Sequence, residues 1–358
     1  MNSIFSRWFQ RNFSNPQAVV LGMLLVFGFA AIIFLGDILN PLFIAIVFAY
    51  LLEWIVGSVE SRGMPRMASV NLVFLSFLAI LLTTVFILIP LVSKQILGLV
   101  NELPAMLKEG QEKLLQLPRE YPGFITEQQI EDVTRAITTE VGSMGQAAIE
   151  VSISSLISIV ALAVYLILVP LLVFFLMKDK TLIMEWVANL LPQERTMASK
   201  VWAEVNDQIG NYIRGKVAEI IIVGVVTYIA FTFMGLNYAL LLSVLVGFSV
   251  LIPYVGAAVV TIPVILIAYF QWGFGADFYT VVIGYLIIQA LDGNLLVPIL
   301  FSEAVNLHPV AIISAILLFG GIWGFWGVFF AIPLATLVKA VLSAWQEIPQ
   351  QEEQLQSE

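Results

Sequence analysis

The sequence is dominated by apolar runs that are long enough to cross a lipid bilayer as helices. Residues 68–93 and 152–177, for example, are predominantly aliphatic or aromatic. A helix needs about 20 apolar residues to span the hydrocarbon core of a bilayer. Because 60% of all residues are hydrophobic and only 11% are charged, a water-soluble domain could not cover its surface with polar groups. The sequence therefore predicts an all-α, polytopic membrane protein whose first partner is the lipid bilayer.

About eight membrane-embedded segments or hairpins follow one another along the chain. Their approximate ranges are 18–36, 38–56, 68–93, 152–177, 217–235, 238–270, 278–300 and 309–343. We expect the first two to be joined by a tight turn at Asp37 to Pro41, since proline disrupts a helix interior. Basic residues precede the first span and follow the second, and the positive-inside rule places such segments in the cytoplasm. The parity of the spans then predicts that both termini are cytoplasmic.

One large polar insertion, 94–150, interrupts these segments. Its apolar residues recur at helical spacing, which predicts amphipathic helices, and Pro104 is expected to kink or restart the first of them. The insertion could be a small helical cap or a ligand-binding module. The chain is predicted to divide into a three-span scaffold, this extramembrane insertion, a fourth span with cytoplasmic amphipathic helices, a transport unit and an acidic disordered tail, at 1–93, 94–150, 151–216, 217–345 and 346–358.

A helix break is predicted where the motif Ile252-Pro253-Tyr254-Val255-Gly256 separates two short apolar runs. The runs, 238–251 and 257–270, offer 14 residues each, fewer than a span requires. Proline removes a backbone donor, and the nearby glycine permits backbone conformations that other residues avoid. A related break is expected near Gly320-Gly321 in the last apolar stretch.

The two broken segments could be copies of one structural unit. When 237–263 is laid over 308–333, Gly256 falls on Gly327 and Ser243 falls on Ser314. Two re-entrant hairpins entering from opposite sides would form an inverted repeat, an arrangement in which transporters place a binding site near the bilayer midplane. The alternative is that both pairs are ordinary short spans joined by turns, which tilting and bilayer thinning could accommodate.

Polar residues inside the segment 278–300 are the strongest candidates for a binding site. Gln289, Asp292 and Asn294 lie close together beside a glycine. A carboxylate within a span costs about 2.5–3.5 kcal/mol on insertion scales, so it is normally kept for function. Asp292 could hold a sodium ion with neighbouring oxygens, or it could bind a proton. The competing interpretation places Asp292 near the cytoplasmic interface, where it would cap or pair with a neighbouring helix.

Two other acidic residues are predicted to have structural roles. Glu219 and Glu53 fall near predicted cytoplasmic ends of spans, where we expect them to pair with Lys216, Arg214 or Arg66. Since the sequence contains no HExxH, GxSxG, Walker A or GxGxxG motif, an enzyme is not predicted. We likewise expect no cofactor and no nucleic-acid partner.

Several motifs taken together resemble the autoinducer-2 exporter (AI-2E) family of bacterial membrane proteins, also called PerM-like permeases. The motifs are Tyr212-Ile213-Arg214-Gly215-Lys216, Ile252-Pro253-Tyr254-Val255-Gly256, the stretch Gln289 to Pro298, and Gly324-Phe325-Trp326-Gly327 leading to Pro333-Leu334. The resemblance extends over nearly the whole chain and is most specific from about 205 to 340. The positions that match the family motifs are Pro253, Tyr254, Gly256, Asp292 and Gly327.

The resemblance implies a secondary transporter of the bacterial inner membrane that forms a homo-oligomer, with a pentamer among the expected forms. It also implies either export of a small polar molecule resembling autoinducer-2 or exchange of sodium for protons, by alternating access. Gln289, Asn294 and the matching positions are the expected substrate or ion pathway. The alternatives are a passive channel and a non-transporting scaffold or receptor that uses 94–150 to contact a partner.

Overall fold

The computed structural model describes residues 16–114, 155–190, 196–253, 255–301 and 307–341, together with Gln128, Asp132 and Arg135. Regular structure in these ranges is helical throughout, which confirms the all-α prediction. Six helices in the described part are long and apolar enough to cross a membrane, or seven if one bent pair is counted as a span. Two shorter apolar helices accompany them. The chain is therefore a polytopic helical membrane protein.

We number the helices in chain order. They are α1 (Pro16–Glu60), α2 (Arg66–Thr83), α3 (Ile89–Leu114), α4 (Ser155–Lys178), α5 (Lys180–Leu190), α6 (Thr196–Phe233), α7 (Ala239–Ser249), α8 (Val255–Trp272), α9 (Ala276–Leu291), α10 (Val297–Phe301), α11 (Pro309–Phe329) and α12 (Ala331–Val341). π-Helical turns at Thr84–Leu88 and Asp292–Leu296 join α2 to α3 and α9 to α10.

The turn predicted at Asp37 to Pro41 is wrong. α1 runs without interruption for 45 residues, and Pro41 lies inside it. Proline deletes one backbone donor, whereas a turn in an apolar environment would leave several backbone groups without partners. Continuing the helix therefore costs less than breaking it.

The helix continues through residues 93 and 94, where the third span was predicted to end and the insertion to begin. α2, the π-helical turn and α3 form one apolar helical path, Arg66–Gly110. The first amphipathic helix predicted in the insertion is the end of this path, and Pro104 lies within it. The π-helical turn absorbs the change in register that precedes the amphipathic part. Most of 115–154, including the second predicted amphipathic helix, lies outside the described residues.

One hydrophobic core joins α2 and α4 to the second half of α1. Phe77 packs against Phe48, and Phe74 packs against Phe174, with ring centroids 5.1 Å apart in both pairs. At one end of this bundle, Arg66 pairs with Glu53 at 3.2 Å. This contact confirms the pairing predicted for Glu53. The N-terminal spans thus form a packed body of their own.

A second hydrophobic core joins α6, α7, α8 and α9. α6 and α7 approach each other through glycine, because a Cβ atom at Gly247 would lie only 2.9 Å from the Ile220 carbonyl oxygen and 3.1 Å from the Gly224 Cα. Small residues allow helix backbones to pack this closely in membrane proteins. α7 has 11 residues, so it is about 17 Å long and cannot cross a core of about 30 Å.

The start of α7 is held by two glutamine side chains. The Gln95 Oε1 accepts a hydrogen bond from the Leu241 N–H at 2.8 Å. The Gln271 amide accepts from the Asn237 N–H and donates to the Gly235 carbonyl, both at 2.8 Å. The unpaired donors of a helix start are thus satisfied by side chains from α3 and α8. This end of the broken segment is fixed in place.

The break after α7 lies where the sequence predicts it. The helix ends at Ser249, and α8 begins at Val255. A Cβ atom at Gly256 would overlap the Ser249 carbonyl group. Only glycine therefore allows the first turn of α8 to pack against the last turn of α7.

The second break lies a few residues beyond its predicted position. Gly320 and Gly321 are inside α11, whereas Gly324 has φ +59° and ψ −132°, which only glycine adopts readily. A Cβ atom at Gly327 would overlap the Phe319 carbonyl group and lie 2.9 Å from the Gly320 nitrogen. Gly327 is therefore needed for close packing, while Gly324 changes the chain direction.

Both breaks place a glycine against backbone of the preceding helical segment. Gly256 faces the Ser249 carbonyl, seven residues earlier, and Gly327 faces the Phe319 carbonyl, eight residues earlier. The two breaks therefore share a close approach that only glycine permits, and they differ by one residue in its register.

Candidate functional site

A cavity of about 470 Å³ opens where the first helix break meets α6 and the π-helical turn Asp292–Leu296. Ile252 and Pro253 line it from the break, and Ile312 and Ile332 line it from α11 and α12. Ligand pockets for small molecules commonly occupy about 300–1,000 Å³, so the volume suits a small solute as well as an ion. The cavity thus lies between the two broken segments.

α6 contributes a buried ion pair to this cavity. Lys216 and Glu219 both line it, and their exposed fractions are only 4% and 2%. The Lys216 Nζ donates to Glu219 Oε2 at 2.6 Å and to the Val250 carbonyl oxygen at 2.9 Å. It also lies 5.1 Å from the centre of the Phe301 ring, within cation–π range. Lys216 therefore links α6 to the end of α7 and to α10.

The wall formed by α9 and the π-helical turn carries two polar side chains with unused hydrogen-bonding atoms. Gln289 and Asp292 are three residues apart, and both line the cavity. The Gln289 Nε2 and the Asp292 Oδ1 are buried, and neither has a hydrogen-bond partner among the described residues. Buried polar atoms are nearly always paired, so two unpaired atoms in one cavity make this wall the candidate binding site.

The π-helical turn positions Asp292 in this wall. Its closing hydrogen bond runs from the Val297 N–H to the Asp292 carbonyl oxygen. A π-turn inserts an additional residue into a helix and is often found at functional sites. The sequence predicts backbone loosening at Gly293, and the structure shows a widened helix that continues to Phe301.

The structure brings together only some of the predicted site residues. Gln289, Asp292 and Pro253 line the cavity, whereas Gly256 and Gly327 shape the two breaks. Asn294 is exposed, and its amide donates to the Ala290 carbonyl oxygen of its own helix at 2.8 Å. Tyr254 lies outside the described residues.

Lys216 and Glu219 pair as predicted. α6 begins well before residue 217, the predicted start of this span, and both members of the pair are buried. The spacing of Tyr212, Lys216 and Glu219 contains the missed signal, since residues four and three apart share one helix face. All three line the cavity.

The ionisable side chains that line the cavity can hold one added positive charge. Lys216 and Glu219 neutralise each other, which leaves the Asp292 carboxylate for a proton or a sodium ion. In the described part of the chain, no three His, Cys, Asp or Glu side chains are grouped as they would be around a tightly bound metal. An ion at Asp292 would therefore complete its coordination with amide, carbonyl or solvent oxygens, which hard cations accept.

Comparison with known proteins supports the resemblance seen in the motifs. The family model for the AI-2E family transporter matches residues 22–347. The PerM protein of Escherichia coli strain K12, named as a permease, is 50% identical over 97% of this chain and 98% of its own length. YueF and YrrI of Bacillus subtilis strain 168, named as transport proteins, are 27% and 28% identical and align with 86% and 84% of this chain.

These matches include the elements that form the cavity, from α6 to α12. The all-helical architecture, with its six or seven membrane-length helices, is that of a multi-pass bacterial membrane protein. The chain belongs to the AI-2E transporter family.

Proposed function

We propose that this protein is a secondary transporter that exports a small polar molecule or exchanges sodium for protons by alternating access through the cavity. The observation that carries the proposal is the unpartnered Asp292 Oδ1 beside Gln289 in a cavity between two helix breaks. An ionisable group within a membrane segment, facing a cavity, is the usual mark of an ion or substrate pathway. Pro253, Gly256 and Gly327 contribute by forming the breaks.

The two broken segments are proposed to be re-entrant hairpins related by an inverted repeat. The short length of α7 supports this, as does the glycine packed against preceding backbone in each break, Gly256 against Ser249 and Gly327 against Phe319. Non-helical backbone at membrane depth persists only where protein buries it or where it lines a cavity. Ile252 and Pro253 meet that condition because they line the cavity.

We infer that the unit from α6 onward moves against the N-terminal body during transport. The two bodies have separate hydrophobic cores, and a third, smaller cluster joins α1, α6, the first break and α12. At this junction the Tyr50 hydroxyl donates to the Asn206 carbonyl oxygen at 2.9 Å. α3 adds a second connection, because Gln95 accepts a hydrogen bond from Leu241 at the start of α7. Separately packed cores that are joined at a few places can move against each other as rigid bodies.

The same proposal includes a site in the bacterial inner membrane, cytoplasmic termini and a homo-oligomeric assembly. The basic residues that flank the first spans support the orientation, because positively charged loops remain on the cytoplasmic side. The many exposed large apolar side chains, such as Phe233 and Phe34, support contact with lipid or with further copies of the chain.

Flux measurements on the purified protein in liposomes test this function. A sodium gradient is expected to drive protons in the opposite direction, reported by an internal pH-sensitive dye, and a panel of small polar solutes is screened under the same gradient. Saturable flux that depends on an opposing gradient supports a secondary transporter. Flux that ignores the opposing gradient would indicate a passive channel, and the absence of any flux would indicate a non-transporting scaffold.

A further inference from the structure

The formal charges of the ionisable side chains that line the cavity do not sum to zero. Of its described lining residues, Lys216, Glu219 and Asp292 carry formal charge, and Tyr212 adds a phenol that is neutral at physiological pH. One ammonium group therefore faces two carboxylates. If both acids are ionised, the cavity carries one uncompensated negative charge.

The geometry decides which carboxylate the lysine neutralises. Lys216 Nζ lies 2.6 Å from Glu219, and its second hydrogen bond goes to the Val250 carbonyl oxygen. The side chains of the pair are 5% and 3% exposed, so the pair is screened from water. Asp292 also lies close enough to interact with the Lys216 charge, but its Oδ1 has no hydrogen-bond partner among the described residues. Lys216 and Glu219 are therefore the hydrogen-bonded pair, and Asp292 carries the charge in excess.

An uncompensated charge inside a membrane protein is costly, whereas a neutral cavity is not. We propose that the cavity carries a single exchangeable positive charge in each transport cycle, and that the Lys216–Glu219 pair sets this number. This inference rests on the proposed function, since it assigns the stoichiometry of the same site. A proton or one monovalent cation on Asp292 gives a neutral cavity. The two cannot be bound together without restoring an uncompensated charge.

The consequence is an exchange that balances in charge. Binding of Na⁺ at the Asp292 carboxylate requires the release of its proton, so one cation enters as one proton leaves. An empty, ionised carrier is unfavourable because one ammonium group cannot neutralise two carboxylates, and the Asp292 Oδ1 is buried without a partner among the described residues. The return step therefore needs either ion, which couples their movements.

Counting protons released by purified protein in detergent tests the proposal. Na⁺ is added to protein in weakly buffered solution at a series of pH values, and the release per protomer is read with a pH electrode. The wild type is expected to release about one proton at saturation, where Asp292 begins protonated. Asp292→Asn is expected to release none. Glu53→Gln is the control, because Glu53 pairs with Arg66 and does not line the cavity. It is expected to release as many protons as the wild type.

Charge-shifting variants then test the role of the pair. Lys216→Met leaves two unpaired carboxylates and is expected to raise the release to about two protons. Glu219→Gln frees Lys216 to neutralise Asp292 and is expected to abolish the release. The double variant Lys216→Met with Glu219→Gln restores the wild-type charge and is expected to release about one proton again.

Folding of each variant is checked by gel filtration and thermal melting. Either single variant could fail to fold, because it leaves a buried charge or changes the cavity charge. The double variant removes both partners and is expected to fold, since replacing a buried pair by neutral groups of similar size is often tolerated. The proton release of the double variant then tests the inference even if neither single variant folds.

Three results would overturn the inference. The first is a double variant that releases either no proton or two protons. The second is a folded Lys216→Met variant that releases one proton. The third is a wild type that releases no proton with Na⁺, Li⁺ or K⁺. Failure of the proposed function is separate. It would be seen as unchanged gradient-driven flux in Asp292→Asn, or as no flux in the wild type.

Discussion

Asp292→Asn is expected to abolish cation-coupled flux in proteoliposomes while the protein still inserts and assembles. Asparagine keeps the shape of the side chain but removes the charge that would hold a cation or proton. Hydrogen bonds to charged groups contribute about 1.5–3 kcal/mol, which corresponds to about a 10- to 150-fold loss of ion affinity. The initial rate of sodium-driven proton movement measures the effect.

Asp277→Asn is the matched control for this prediction. Asp277 lies in the first turn of the same helix, is exposed, and does not line the cavity. It is expected to leave the flux within about twofold of the wild type, since isolated surface substitutions usually have small effects. Equal flux in the wild type and Asp292→Asn would remove Asp292 from the pathway.

Gly256→Ala is expected to destabilise the protein by more than about 3 kcal/mol. The added methyl group would overlap the Ser249 carbonyl, and a backbone carbonyl at a helix end cannot rotate away as a flexible side chain can. α7 and α8 would have to separate, which opens the wall of the cavity. The thermal melting temperature and the fraction of monodisperse protein after gel filtration measure the loss.

Gly327→Ala is expected to have a similar effect, because its methyl group would overlap the Phe319 carbonyl. Gly57→Ala serves as the control, since no atom lies within 4 Å of its added Cβ and alanine favours a helix over glycine. Gly57→Ala should be neutral or slightly stabilising. If Gly256→Ala and Gly327→Ala melt like Gly57→Ala, the two breaks are not packed as described.

The sequence predicts the membrane-length helices and the first break well, because both depend on local properties. Long apolar runs leave no alternative to helices in lipid, and Pro253 with Gly256 interrupts one of them at a defined place. Pro41 shows the limit of this reasoning. A single proline makes a helix locally less favourable, but leaving backbone groups unpaired in an apolar environment costs more than keeping the helix.

The candidate site was predicted only in part, because it depends on contacts between distant segments. Asp292 stands out in the sequence since a charge is rare within an apolar span. Lys216 and Glu219 look like ordinary boundary residues until α6 is seen to continue through them and Val250 is seen to accept from Lys216. Gly324 could not be distinguished from its neighbouring glycines, because a positive φ is a property of the folded backbone.

The central claim is that the cavity is a water-accessible pathway that opens to alternate sides of the membrane. The protein contains no cysteine, so a single introduced thiol can be followed without background. Ala257→Cys places this thiol in the cavity lining, and Ile262→Cys places one on the exposed apolar face of the same helix.

Labelling of Ala257→Cys by a membrane-impermeant methanethiosulfonate, applied separately to each face of sealed vesicles, tests this claim most directly. We expect the thiol to react from either face, to react more slowly when Na⁺ is saturating, and to block flux once modified. Ile262→Cys should react from neither face. If Ala257→Cys behaves like Ile262→Cys, or reacts from one face under all ionic conditions, the cavity is not an alternating-access pathway.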